Sequence, residues 1–482
     1  MRQLTRTLFD QLAAHAAFTP GKPAIMLPDR IVTYEILVNG VYSVQRTISH
    51  LMLDRNHPVA IAVDNPGRHL IVLLALIRSG YTVTSIRADQ LGLAISFGAK
   101  AVLTDRLIPP QAGARVHAVD DKWFQGGTVA RPPAHDFPAD RIARIILTSG
   151  STGVPKAIGV SFATMHSRIF GAYLSGIASE HRYFTTYGLS GSLFSYAMRV
   201  LCSGNTIILA PADKALHTAM TYGATAIRAS ASQARGLLEL QAQRKVPLRL
   251  AQFTTGGGPM SVELCDEIQR VFGAEVINTY NSTEGGFMGL AAGELLKRRR
   301  EKGNCFIPLV RVEIVDDADV PLPIGHEGRI RIQSDIMAWE FKGSLMETDE
   351  VRQNKWFYPG DVGLLDPEGL LIVTGRADEL INSGGGKFTP EIIEEAISRN
   401  PSLSGAAVVR MPNHEPWLAT TSREAGSLDA VNDWIADNLP GELGGVQIAR
   451  MFTVAEIPRT QSGKIARGEL RRLLLALSAD GA

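Results

Sequence analysis

Cysteine is scarce in this chain: Cys202, Cys265 and Cys305 are the three cysteines in 482 residues. They stand far apart with no C-x-x-C spacing, which argues against a disulfide framework and a cysteine zinc site. Long apolar runs are lacking too. The most apolar one, His69 to Ile77, is about half the length a membrane span needs and is bounded by Arg68 and Arg78, so it reads as a core helix and no membrane span is expected. The start, Met1-Arg2-Gln3-Leu4-Thr5-Arg6, has no apolar core of a secretory signal. A reducing, cytoplasmic setting is the expectation. Net charge is nearly absent, +1 from 49 basic and 48 acidic residues, which leaves no electrostatic footprint for nucleic acid. The cluster Lys297-Arg298-Arg299-Arg300 reads as a solvated helix face. No internal repeat or low-complexity segment is present.

What is there is ordinary for a large globular enzyme: 45% hydrophobic and 20% charged residues in a chain too long for one core. Residues 5–17 read as an amphipathic helix, Ala24-Ile25-Met26 as a strand and Tyr34 to Leu53 as a helix. Val59 to Val63, Arg68 to Ser79 and Ala101 to Thr104 then give strand, helix and strand. Further strands are expected at Thr206 to Leu209 and Glu275 to Asn278. The alternation predicts an α/β fold.

The stretch Leu147-Thr148-Ser149-Gly150-Ser151-Thr152-Gly153-Val154-Pro155-Lys156 alternates hydroxyls with glycine and ends on a lysine. Bare glycine backbone, hydroxyl donors and a point charge suit a phosphate, although a solvated turn has the same composition. The Walker pattern fails, because Pro155 stands where its second glycine belongs and Ala157 follows the lysine. The flanks Ile145 to Leu147 and Ala157 to Val160 read as strands, so any phosphate here is held between strands.

Four later stretches bear on this one. Thr254-Thr255-Gly256-Gly257-Gly258-Pro259-Met260 is a glycine turn against which a flat ring could lie. Thr279-Tyr280-Asn281-Ser282-Thr283-Glu284-Gly285-Gly286 sets an aromatic, hydroxyls and a carboxylate beside glycines, and Glu284 is a hard oxygen ligand suited to Mg²⁺. Trp356-Phe357-Tyr358-Pro359-Gly360-Asp361 precedes Thr374-Gly375-Arg376-Ala377-Asp378-Glu379, and Pro458-Arg459-Thr460-Gln461-Ser462-Gly463-Lys464-Ile465 stands near the end.

In this order and at these separations the stretches resemble the adenylate-forming superfamily: acyl-CoA and aryl-CoA synthetases, peptide-synthetase adenylation domains and firefly luciferase. The resemblance spans nearly the whole chain. It implies a large N-terminal AMP-binding domain of α/β subdomains, residues 1–376, and a small mobile α+β C-terminal domain, residues 377–482. ATP would be bound by Thr148, Ser149, Gly150, Ser151, Thr152, Gly153 and Lys156 over its phosphates. Gly257, Gly258 and Pro259 would lie beside the adenine with Tyr280 stacked on it, and Asn278, Asn281 and Ser282 would complete that segment. Thr283 would meet phosphate, Glu284 would hold Mg²⁺, Asp361 and Arg376 would bind the ribose, and Asp378 would be the hinge. Lys464 would complete the adenylation site, and Ser383, Gly384, Gly385, Gly386 and Lys387 would line the thiol's route after the small domain rotates.

The implied activity is ATP-dependent conversion of a small carboxylic acid to an acyl-adenylate with loss of pyrophosphate, then transfer to a thiol, with CoA favoured. A separate carrier protein is the alternative acceptor, and a nucleotide-binding member without catalysis and a luciferase-like oxygenase are the alternative functions. No further domain follows Lys464, so no fused carrier is expected. Relatives that activate amino acids place an aspartate shortly after the region of Tyr187, but Gly188 to Met198 holds no acid, which disfavours an α-amino acid. Gly188, Leu189, Ser192, Leu193 and Phe194, with Gly256 and Gly286, are expected to form an uncharged pocket for an acyl or aryl chain. Arg228 is the exception there, as a surface arginine or as the partner of a second carboxylate. Two departures from the family pattern are Asn281, where a glycine commonly stands, and the missing histidine between Tyr187 and Gly191.

Overall fold

The computed structural model describes residues 4–480 apart from 88–89, 108–112, 126–129, 134, 136–137, 150–154, 172–180, 186–187, 190, 192, 211–213, 244–247, 257–259, 261, 299–303, 344, 346–354, 384–385, 389, 391–392, 395–396, 398–399, 401, 404, 423–425, 439–445 and 460–464. The alternation read from the sequence is there. Helix Leu4–Phe18 leads into strand Pro23–Met26, and Thr33 caps helix Tyr34–His50 by accepting from the Ile36 N–H. That helix stops short of Leu53, because the Leu51 N–H turns back to the Ile48 carbonyl and Met52 takes a positive φ of 48°. Helix Pro66–Arg78 begins on Asn65, whose side chain accepts from the Gly67 and Arg68 N–H groups, with Pro66 in the first turn where its missing N–H costs nothing. Residues 70 to 77 of this helix are all buried, as a core helix requires. No helix among the described residues is long and apolar enough to cross a membrane.

Two sheets carry the larger part of the chain. One has thirteen strands, running from Arg311–Val315 through Gly328–Gln333, Asp361–Leu365, Leu371–Arg376, Asn304–Pro308, Gly286–Ala292, Glu275–Ser282, Gln252–Gly256, Ala226–Ala229, Arg182–Thr185, Thr206–Ile208 and Pro23–Met26 to Ile31–Thr33. The six strands from Glu275–Ser282 to Pro23–Met26 pair in parallel. Their C-terminal ends therefore lie along one edge, the usual place for a ligand in an α/β sheet. The other sheet has seven strands in the order Trp339–Glu340, Pro155–Ser161, Ile142–Ser149, Val83–Ser85, Val59–Ala62, Ala101–Thr104, Arg115–Ala118.

A two-stranded sheet, Ile381–Ser383 with Gly386–Phe388, and a three-stranded one, Ala406–Arg410, Pro416–Thr420 and Arg450–Thr453, complete the set. Among the described residues no apolar cluster mixes side chains from before residue 374 with side chains from after 380. The cysteines are free and buried.

Candidate active site

Strands Ile142–Ser149 and Pro155–Ser161 form an antiparallel hairpin in which Thr148 faces Lys156 and Ser149 faces Pro155. The glycine-hydroxyl stretch is thus a connector between strands, as its flanks predict. Thr148 Oγ1 donates to the Lys156 carbonyl at 3.4 Å, and the Lys156 side chain is exposed. Gly150, Ser151, Thr152 and Gly153 lie outside the described residues, as does the Ser149 side chain.

The strand-end edge gathers the groups expected at the nucleotide. Asn278 faces Thr255 across parallel strands, and both are fully buried. Neither atom of the Asn278 amide, nor Thr255 Oγ1, has a hydrogen-bond partner. An unpaired buried amide costs about 1–3 kcal/mol, so this end is built to be completed by a ligand presenting both a donor and an acceptor. Gly257, Gly258 and Pro259, which follow directly, are outside the described residues. Gly256 is closed against its neighbour strand: a Cβ there would lie 2.2 Å from Thr279 Oγ1 and 2.7 Å from Asn281 Nδ2. Asn281 keeps a negative φ, its bulge lies between Tyr280 and Asn281, and its amide donates to Thr279 Oγ1 at 2.7 Å.

Tyr280 packs on Phe306 with ring centroids 5.6 Å apart, and its hydroxyl donates to Asp361 Oδ2. Burial, with Asp361 beside it, raises the phenol well above its usual range, so it remains a donor. Asp361 and Arg376 are register partners on adjacent strands, with Arg376 Nη1 at 3.4 Å from Asp361 Oδ1. Gly360 makes room for this: with φ at +81°, a Cβ there would sit 2.9 Å from Arg376 Nη2. Arg376 also donates to Pro359 O at 2.6 Å and, through Nε, to Asp378 Oδ1 at 3.1 Å. The Asp378 carbonyl accepts from Arg410 at 3.2 Å, and Glu379 pairs with the buried Arg467 at 3.1 Å. The ribose pair and the expected hinge are one connected network.

Ser282 ends strand Glu275–Ser282, and Thr283 and Glu284 occupy the turn to strand Gly286–Ala292, closed by the Gly285 N–H donating to Ser282 Oγ at 2.8 Å. The Glu284 carbonyl is clamped by Arg168 Nη2 at 2.8 Å and the Ala338 N–H at 2.7 Å. Its carboxylate has no hydrogen bond or ion pair among the described residues, where no cluster of three or more metal-ligating side chains occurs. One free carboxylate fits Mg²⁺, an ion usually held by one or two protein carboxylates plus substrate phosphates. Ser383 and Gly386 face each other across the small hairpin, Asn382 faces Lys387, and Gly384 and Gly385 fall outside the described residues.

Arginines stand among the residues expected to line the acyl pocket. Leu189 and Phe194 are buried, Gly188 is exposed, and Ser192 and the Leu193 side chain are not among the described parts. Of these arginines, sequence reasoning named Arg228 and missed Arg144, Arg168 and Arg199. Arg144 is buried, 4.7 Å over the Phe194 ring, and donates to the Leu189 carbonyl at 3.1 Å and the Gly191 carbonyl at 3.2 Å. Burial, with Arg168 nearby, brings its pKa down to about 9. Arg168 lies beside Gly286 and donates from Nε to Ile336 O at 2.7 Å. Arg199 donates to the Arg168 carbonyl at 2.6 Å. Arg228 is no surface or capping residue: it sits on a central strand between Thr185 and Thr254, its guanidinium 5.1 Å over the Tyr196 ring. The available signal was a charged residue inside an apolar run, as in Ile142-Ala143-Arg144-Ile145 and Met198-Arg199-Val200. Lys464 lies outside the described residues, within 460–464, whose ends are joined by the bridge between Arg459 and Ile465.

Comparison with known proteins gives the family and the fold. The family model described as AMP-binding enzyme matches residues 12–340. A 2-succinylbenzoate–CoA ligase of Bacillus cereus is 26% identical over 488 residues, covering 97% of this chain and 99% of its own. The O-succinylbenzoate coenzyme A synthetase of Bacillus subtilis, solved with ATP and magnesium ion, superposes with a TM-score of 0.78 at 21% identity, covering 96% of this chain and 99% of that one. An anthranilate CoA ligase in complex with anthranoyl-AMP gives 0.82 at 17% identity, covering 98% of both chains. The chain belongs to the AMP-binding enzyme family.

Proposed function

We propose that the chain activates a carboxylic acid with ATP, releasing pyrophosphate, and transfers the acyl group from the adenylate to CoA. It is an AMP-forming carboxylate–CoA ligase. The observation that carries the nucleotide site is the orphaned, fully buried amide of Asn278, beside the Tyr280–Asp361–Arg376 network. That amide offers a donor and an acceptor to the edge of an adenine. Tyr280, held by Asp361, supplies the stacking face, and Asp361 with Arg376 takes the ribose hydroxyls.

Adenylation brings two anions together, so charge must be offset where the acid approaches the α-phosphate. Mg²⁺ would be held by Glu284 and substrate phosphates and supply Lewis-acid neutralisation of phosphate charge. Arg168 keeps the Glu284 turn in place, Thr283 contacts phosphate, and Lys156 with the loop 149–153 covers the leaving pyrophosphate. Lys464 donates to the reacting carboxylate and phosphate, and no protein nucleophile is required. The division at 376–377 with rotation about Asp378 lets the hairpin around Ser383 to Lys387 replace Lys464 for the second step. Separate apolar cores on either side of residues 374–380 support that division. Buried free cysteines support a reducing, cytoplasmic setting. The test is pyrophosphate exchange across a carboxylate panel, followed by thioester formation with CoA. Absence of exchange with every acid overturns the reading.

A further inference from the structure

We infer that Arg199, Arg228 and Tyr196 form a receptor for a second carboxylate at the far end of the acid, so that the enzyme selects a dicarboxylate. The inference rests on the ligase reading and deepens it.

The three side chains share one face of the sheet. Tyr196 and Arg199 are three apart on helix Leu193–Cys202 and so neighbours on its surface. Arg228 projects from strand Ala226–Ala229 onto Tyr196. None has a carboxylate partner among the described residues. Arg199 makes one hydrogen bond, to the Arg168 carbonyl, and its Nε is buried without a partner. Among the described residues Arg228 makes the contact to the Tyr196 ring and no hydrogen bond or ion pair, and the Tyr196 hydroxyl has no hydrogen-bond partner either. Burial pushes the Tyr196 phenol up to about 12 and, with Arg228 nearby, brings Arg199 down to about 10. Tyr196 and Arg199 are therefore donors at neutral pH. Two guanidiniums left this way next to each other are unfavourable in the free protein, and an anion accepting from both removes the penalty and gains charge-assisted hydrogen bonds.

The register gives the depth. Arg228 pairs with Thr254, two residues before Gly256 at the strand-end edge where the nucleotide groups gather. One strand spacing sideways and two residues back is about 8 Å between backbones. A carboxylate activated at the edge thus leaves the other end of a small acid at the arginines.

The experiment measures pyrophosphate exchange with matched pairs of probes: straight-chain and aromatic dicarboxylates, each against its own half-ester, which keeps the shape and loses one charge. Wild-type enzyme is expected to favour a diacid over its half-ester at least tenfold in kcat/KM. Arg228→Gln should lose about 10- to 100-fold on the diacid, the scale of one charge-assisted contact, and change less than about threefold on the half-ester. Arg228→Lys should recover part of the loss, and Arg199→Gln should follow Arg228→Gln. The Arg199 variant is the more disruptive of the two, so melting temperatures are compared and Arg228→Gln carries the test alone if Arg199→Gln unfolds. A half-ester used as well as its diacid, or equal loss on both in Arg228→Gln, overturns the proposal while leaving the ligase reading intact. No exchange with any acid overturns both.

Discussion

At the proposed nucleotide end Arg376 is shared between two carboxylates, Asp361 and Asp378, whereas at the proposed acyl end Arg199 and Arg228 lie beside Tyr196 with no carboxylate among the described residues. At the first end the carboxylates outnumber the arginine before any ligand arrives, and the unmet need there is the uncharged amide of Asn278. The second carries positive charge that nothing in the described structure offsets. The difference follows from what each end has to do. ATP brings its own charge and its own magnesium, so the protein supplies shape and a few polar groups. An acid substrate is told apart by what it carries at its far end, and a cation left unpaired is a sensitive reader of that.

The largest expected effect concerns the reaction that both ends serve. Lys464→Ala should slow pyrophosphate exchange by about 10²- to 10³-fold, the cost of one transition-state donor, while thioester formation from supplied acyl-adenylate survives. Equal loss of both steps would break the account in which the two reactions use different faces of the small domain. Next comes the reach of the positive end. His69 is buried, with Nε2 2.8 Å from Ser85 Oγ and Nδ1 3.1 Å from the Val63 carbonyl. Burial, with Arg144 contributing, holds its pKa at about 4. Its folded pKa is depressed, so the stability it contributes is complete above about pH 6.5 and is lost as pH falls toward 4, about 3 kcal/mol in all. Urea unfolding at several pH values should show this slope in the wild type and a flatter one in His69→Gln.

A smaller effect tests a residue that touches both groups. Arg168 clamps the Glu284 carbonyl and accepts Arg199 on its own carbonyl. Arg168→Gln should reduce exchange about tenfold, the worth of a charge-assisted hydrogen bond, and raise the Mg²⁺ concentration at half-maximal rate. An unchanged Mg²⁺ dependence would separate the two ends. Smallest is Tyr280→Phe, which keeps the ring and removes the bond to Asp361. A rise of about fivefold in KM for ATP, near 1 kcal/mol, with kcat held, is the outcome that fits a binding role.

The grouping of Asn278, Tyr280 and Glu284 was legible because these residues lie close together in sequence and their spacing is set by a single strand and turn. The connector after Ser149 was legible for the same reason, since its flanks had to pair. The arginine cluster was legible only at Arg228. Arg144, Arg168, Arg199 and Arg228 come from two strands and two helices, and only packing brings them together. In sequence Arg144 and Arg199 look like isolated interruptions of apolar runs, and an empty-looking pocket was the natural expectation. Glycine misled in a further way: at Gly256 the missing side chain reads as open space, but the room is taken by Thr279 and Asn281.

That last contact limits how this enzyme can diverge. Every genetically encoded replacement for Gly256 adds a β-carbon that would meet Thr279 Oγ1 at 2.2 Å, so point mutation at the strand tip is penalised before it can alter the acid accepted. On the proposed reading, drift in substrate preference is channelled instead to the helix and strand that carry Phe194, Arg199 and Arg228. Descendants of this sequence would be expected to differ there first.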